Sequence, residues 1–242
     1  MRLLKIEIKK VKASGIFWPV LLIPIALSAL ILLPGAGKML GRAGWTGLYL
    51  SAVTSYAYFF FFIVIAVVMS FLLRVEHREG NWSGLFTLPV ERGKVYLVKL
   101  LVGSGIILLN VLALGVFICL AGLLKGLPGP VPWRIIIGLP LKAFVLAAPV
   151  IGLQYLLSLF ISQPLVSIGI GISLGMPAIL AVNSAVYWKF YPWTYPMIGF
   201  IQDIFVDKAR NFPSMLGIAL VLFVVLITIG MVYFKRTERF CQ

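Results

Sequence analysis

Six apolar stretches, near residues 16–34, 48–73, 97–121, 137–160, 165–188 and 213–234, limit what this chain can fold into. A bilayer core of roughly 30 Å is crossed by about 20 apolar residues as a helix, because lipid offers no water to satisfy backbone polar groups. Each stretch meets that length. The 242 residues are 62% hydrophobic and 12% charged, and the mean hydropathy of +1.08 lies in the membrane range. The expectation is an all-α membrane protein with six transmembrane helices forming one domain over 1–242. A window of 140–163 serves nearly as well for the fourth span, since Lys142 can snorkel to the interface. The first stretch is long, carries Pro19 and Pro24 and lacks a small-x-small cleavage site. It is expected to stay as a helix rather than leave as a signal peptide.

The basic residues set the orientation. Counted on alternate sides of six spans, Lys and Arg number thirteen in the N-terminal segment, the 74–99 loop and the C-terminal segment, against seven on the other side. By the positive-inside rule both termini and that loop are cytoplasmic. The net charge of +14 clusters at the ends of apolar stretches and forms no continuous face, which fits membrane orientation and speaks against nucleic acid. Within residues 1–15, Arg2, Lys5, Lys9 and Lys12 recur at helical spacing opposite Leu4, Ile8 and Val11. An amphipathic interfacial helix with its basic face toward anionic headgroups is expected, the alternative being a solvated basic tail.

Several chemistries are hard to build from these residues. All seven carboxylates fall in predicted loops or termini, so no predicted helix interior carries the acid that an ion-coupled carrier usually needs. Neutral Asn110, Gln154, Ser158 and Asn183 do fall inside helices, where interhelical hydrogen bonds are their expected role. A single histidine, His77, makes no multi-histidine metal centre, and its neighbours Glu76, Arg78 and Glu79 read as a solvated cluster rather than a catalytic dyad. Cys119 and Cys241 have no zinc or disulfide spacing. Gly35-Ala-Gly-Lys38 fails as a phosphate loop, because residue 32 is Leu and Met39 replaces Ser or Thr. No enzyme activity and no cofactor are expected of this chain.

Two further segments are informative. Gly171 and Gly175 form a GxxxG pattern in the fifth stretch and would let another helix approach closely, within the chain or across a dimer seam. Residues 189–213, on the external side, are rich in aromatics and interrupted by proline. They read either as a partly re-entrant or surface-lying hairpin or as an aromatic belt.

The cytoplasmic loop 76–92 is where charge, turn residues and a short amphipathic segment meet. Gly80 permits a sharp turn, Asn81 or Ser83 can cap a short helix, and Trp82, Leu85 and Phe86 share one face. Pro89 ends the segment. An aromatic anchor flanked by charges suits a protein contact, the alternative being a membrane-surface helix anchored by Trp82.

At this loop the chain resembles the membrane subunits of ABC-2 type exporters, more closely the small six-helix permeases that include lantibiotic immunity transporters. The matching positions are Glu76, Gly80, Leu85, Leu88, Pro89 and Arg92, with Lys99 opening the next helix. Asn81 departs from the Thr or Ser that such loops often carry. The resemblance implies that Glu76, Gly80, Trp82, Leu85, Phe86, Pro89 and Arg92 form a coupling element for a separate cytoplasmic ABC ATPase, which would bind ATP and Mg. It also implies a second permease copy or a homologous permease as partner, a bacterial plasma membrane, and export, with a lantibiotic-like peptide as one possible cargo. The rival from another class is a non-transporting scaffold that recruits a cytoplasmic protein through the same loop.

Overall fold

The computed structural model describes residues 2–13, 15, 17–33, 44–78, 91–184, 186–205 and 212–236. Every regular element among them is helical. Helix α1 is Arg2–Ala13, α2 is Phe17–Leu32, and α3, Gly44–Ser55, passes through a π turn at Tyr56–Phe60 into α4, Phe61–Arg78. Helix α5 is Arg92–Leu124. A second π turn, Arg134–Gly138, opens α6, Leu139–Leu146, and α7 follows as Ala148–Phe160. Then come α8, Pro164–Gly175, the single turn α9, Ala178–Ala181, and a 3-10 turn at Tyr187–Lys189. Helices α10, Thr194–Phe205, and α11, Phe212–Arg236, complete the order.

Four of these stretches are long and apolar enough to cross a membrane: Gly44–Arg74, Arg92–Leu124, Pro164–Ala181 and Phe212–Lys235. Helices α6 and α7 make a fifth if they are one span bent by 49°. The chain is a multi-pass membrane protein, with four or five such spans among the described residues. The expected first span falls short there. Helix α2 has 16 residues, which rise only about 24 Å at 1.5 Å per residue.

Proline explains two departures from straight spans. In the fourth, Pro149 can neither donate to the Val145 carbonyl nor let the backbone pass it without a clash, so the helix breaks at Ala147. The fifth, expected to reach residue 188, ends at Ala181 with Pro177 near its close. The chain then turns, and the buried Thr194 hydroxyl sits 2.7 Å from both the Trp188 and Tyr191 carbonyls.

A third proline shows how the bundle repairs an interruption. Pro24 lies inside α2 and has no N–H, which leaves the Val20 carbonyl without its donor four residues on. The Asn110 side-chain amide of α5 donates to that carbonyl through Nδ2, while the Tyr56 hydroxyl donates to Asn110 Oδ1. Both Asn110 and Tyr56 are fully buried. Three helical segments are thus tied by one side chain, and the π turn that presents Tyr56 is part of the joint.

A second polar cluster lies between α4, α7 and α8. The hydroxyls of Ser70, Ser158 and Ser167 lie 2.9 to 3.1 Å apart, and the Gln154 amide donates to the Ser167 carbonyl at 3.0 Å. Gly171 makes room for this glutamine, since a Cβ there would stand 2.2 Å from Gln154 Oε1. Gly175 lies against the Phe62 ring of α4. Asn183 differs from the other polar residues: exposed, it donates only to Ile179 of its own turn.

Helix α10 is buried rather than laid on a surface. Tyr195, Met197, Ile198 and Phe200 are all inaccessible, and Gly199 lets α10 touch the backbone of α6, where a Cβ would lie 2.6 Å from the Ala143 Cα. The Tyr49 hydroxyl donates to the Phe200 carbonyl at 2.9 Å, and the Phe200 ring meets Tyr56 and Phe61 edge-on at 5.5 and 5.2 Å. Burial raises the Tyr191 and Tyr195 phenols above the ordinary tyrosine value, so they remain donors to the Leu174 and Lys189 carbonyls at neutral pH.

Asn110→Leu leaves the Tyr56 hydroxyl and the Val20 carbonyl without partners. At about 1–3 kcal/mol per buried unsatisfied group, a loss of about 2–6 kcal/mol is expected. Thermal unfolding of the detergent-purified protein should show it, with Asn183→Leu close to wild type.

Candidate functional site

Helix α4 delivers the chain to the 76–92 loop and α5 takes it away. Gly80, Trp82, Leu85, Phe86 and Pro89 lie outside the described residues; Glu76 is in the last turn of α4. What the structure describes is the frame on either side. Glu91 is extended, and the Lys94 amide donates to its carbonyl at 2.9 Å, which starts α5. Its carboxylate pairs with Lys94 at 3.3 Å, an exposed contact worth little by itself. Arg92 Nη1 donates to the Lys235 carbonyl at 3.5 Å, so the first turn of α5 meets the last turn of α11.

Two turns further along α5, about 10 Å from Arg92 at 1.5 Å per residue, lies a feature that the sequence pattern misplaces. Lys99 is buried and donates to Glu7 Oε2 of α1 at 2.7 Å, with side-chain exposures of 1% and 4%. Glu7 is therefore an acid inside the protein and no terminal surface charge. Glu7 also corrects the expected faces of α1. The inward side carries Leu4, Glu7 and Val11, while Ile8 is 38% exposed together with Lys5 and Lys9. The side chains of Arg2 and Lys12 lie outside the described residues. A signal for this existed, because Glu7 stands at the three- and four-residue steps between Leu4 and Val11, and Lys99 interrupts an apolar run from Val95 to Val102.

Between Arg92 and Lys99 the other helices converge. The Tyr155 hydroxyl of α7 donates to the Tyr96 carbonyl at 3.0 Å, the two rings lie 4.9 Å apart, and Phe234 of α11 packs on Tyr96 at 5.8 Å. The Tyr96 hydroxyl, also buried, has no hydrogen-bond partner among the described residues. In the first two turns after the loop, α5 is thus bonded or packed to α1, α7 and α11. Among the described residues no group of three His, Cys, Asp or Glu side chains could hold a metal ion.

Removing one partner of a buried ion pair leaves an uncompensated charge, at a cost of about 3–5 kcal/mol, whereas replacing both by apolar groups is often neutral. Glu7→Gln and Lys99→Met should each lower the unfolding temperature sharply. The double variant Glu7→Leu/Lys99→Met should regain most of the loss, and thermal denaturation in detergent checks the order.

A family profile described as ABC-2 family transporter protein matches residues 3–178, from α1 to the start of α9. No curated protein and no solved structure matches the chain.

Proposed function

The chain belongs to the ABC-2 family of transporter proteins, and from that premise we propose that it is the membrane-spanning permease of an ATP-driven exporter whose ATPase is a separate cytoplasmic chain. The observation that carries the reading is the frame of the 76–92 loop, whose returning helix is tied to three others within two turns. Energy delivered at Trp82, Leu85 and Phe86 would pass through Arg92, Tyr96 and Lys99 into α1, α7 and α11. Glu76, Gly80 and Pro89 would aim the docking face.

In this reading α2 completes a sixth span with residues outside the described range, and both termini lie in the cytoplasm of a bacterial cell. Helix α1 rests on the inner leaflet, with Arg2, Lys5, Lys9 and Lys12 toward anionic headgroups. Its seat on Lys99 supports that orientation, since the ion pair turns the exposed Lys5 and Lys9 away from the bundle. Two permease chains, identical or homologous, work with two ATPases. The buried helix α10 supports a re-entrant external segment, and the exposed Tyr187 and Phe190 before it offer the apolar surface at which cargo makes first contact. An amphipathic peptide drawn laterally from the bilayer, as in lantibiotic self-immunity, is the cargo class that fits such a surface.

Affinity purification of the full chain from its native membrane should bring down an ATP-hydrolysing subunit. Trp82→Asp with Leu85→Asp should abolish that association while leaving the permease in the membrane. Association that survives the double substitution contradicts the coupling role.

A further inference from the structure

Where the first turn of α5 meets the last turn of α11, the two helices enclose an open cleft of about 410 Å³. That size lies within the roughly 300–1,000 Å³ of ordinary small-molecule sites. The cleft is lined by Arg92 and Lys94 from α5 and Lys235 from α11, together with the apolar Leu97 and Met231. Among the described lining residues three cations stand with one carboxylate, Glu91, which pairs with Lys94 at 3.3 Å. At Gly93 an added Cβ would stand 3.0 Å from Lys235 Cε and 3.6 Å from its Nζ. The lysine lies close across the start of α5, and a side chain at position 93 would press its end aside by a few tenths of an ångström.

The position of the cleft indicates what fills it. Both helices are candidate membrane spans, and the cleft lies at their charged ends, the level at which a span passes into the headgroup layer. Directly along α5 from the cleft, Leu97 and Leu101 are 44% and 62% exposed at four-residue spacing, and Val232 of α11 is 44% exposed. Cationic side chains next to exposed apolar ones match a molecule with an anionic head and a hydrocarbon tail.

We propose that this cleft binds the phosphate of an anionic phospholipid, with Arg92 and Lys235 on the phosphate and the acyl chain along Leu97 and Leu101. The site depends on the chain spanning a membrane and not on its being a transporter. A bound lipid would bridge the beginning of α5 and the end of α11, two elements far apart in sequence. It would also fill the space beside the loop that α5 follows.

Native mass spectrometry of the delipidated full chain, titrated with phosphatidylglycerol or phosphatidylcholine, tests the site. The wild type should retain phosphatidylglycerol preferentially. With about 1 kcal/mol per basic residue near a lipid surface, Arg92→Gln/Lys235→Gln should weaken it by about thirty-fold and bring it to the phosphatidylcholine level. Gly93→Ala, which asks the end of Lys235 to give by only a few tenths of an ångström, should weaken it by less than about fivefold. Removing two remote cations, Lys125→Gln/Lys189→Gln, should change nothing. Equal loss in that remote pair would reduce the effect to net charge and overturn the proposal. So would unchanged lipid retention in the Arg92/Lys235 variant, which can be checked for folding by its unfolding temperature. Displacement of the lipid by millimolar inorganic phosphate would identify a soluble phosphate ligand and overturn the lipid assignment.

Discussion

Lys99 carries a charge where water does not reach, and the Glu7 carboxylate at 2.7 Å is what makes that tolerable. The pair fixes more than its own geometry. It holds α1 against α5, turns Lys5 and Lys9 outward, and does so two turns from the loop at Arg92. Desolvating two ions costs several kcal/mol each, repaid only when the contact is close and well aligned. The arrangement therefore tolerates little relative movement of α1 and α5. These two helices form one mechanical piece, to which Tyr155 and Phe234 bind α7 and α11.

The rest of the bundle obeys the related rule that a backbone group released inside lipid must find a partner in protein. Pro24 releases the Val20 carbonyl, and Asn110 takes it. Pro149 breaks the fourth span at Ala147, where the bend of 49° lets α6 pack on the buried α10 through Gly199. Such breaks give a helical bundle places where segments tilt without unfolding. The straight, glycine-closed contact of α8 on α4 at Gly171 and Gly175, with the serine cluster beside it, is by contrast a rigid seam.

Long apolar periodic runs were legible in the sequence, because twenty apolar residues have few other destinations. Residues 48–73, 97–121 and 213–234 correspond to spans in the structure with shifts only at their ends. The bend at Ala147, the stop at Ala181 and the burial of α10 were not legible, since each depends on which neighbour accepts the freed backbone. Glu7 and Lys99 were misjudged for a similar reason. Each read alone is a surface charge, and only their meeting across 92 positions in the chain makes burial affordable. Asn110, Gln154 and Ser158 could be assigned to interhelical hydrogen bonds in advance, though not their partners.

In the proposed function the 76–92 loop is the place where outside energy enters, a reading supported by family membership and by the helices described on either side of the loop. The most direct measurement replaces Trp82 by a photo-crosslinking amino acid in the full chain, irradiates intact cells, and identifies the adduct by mass. The account predicts a covalent adduct with a nucleotide-hydrolysing cytoplasmic subunit. An adduct with lipid alone, or only with a second copy of this chain, would contradict it.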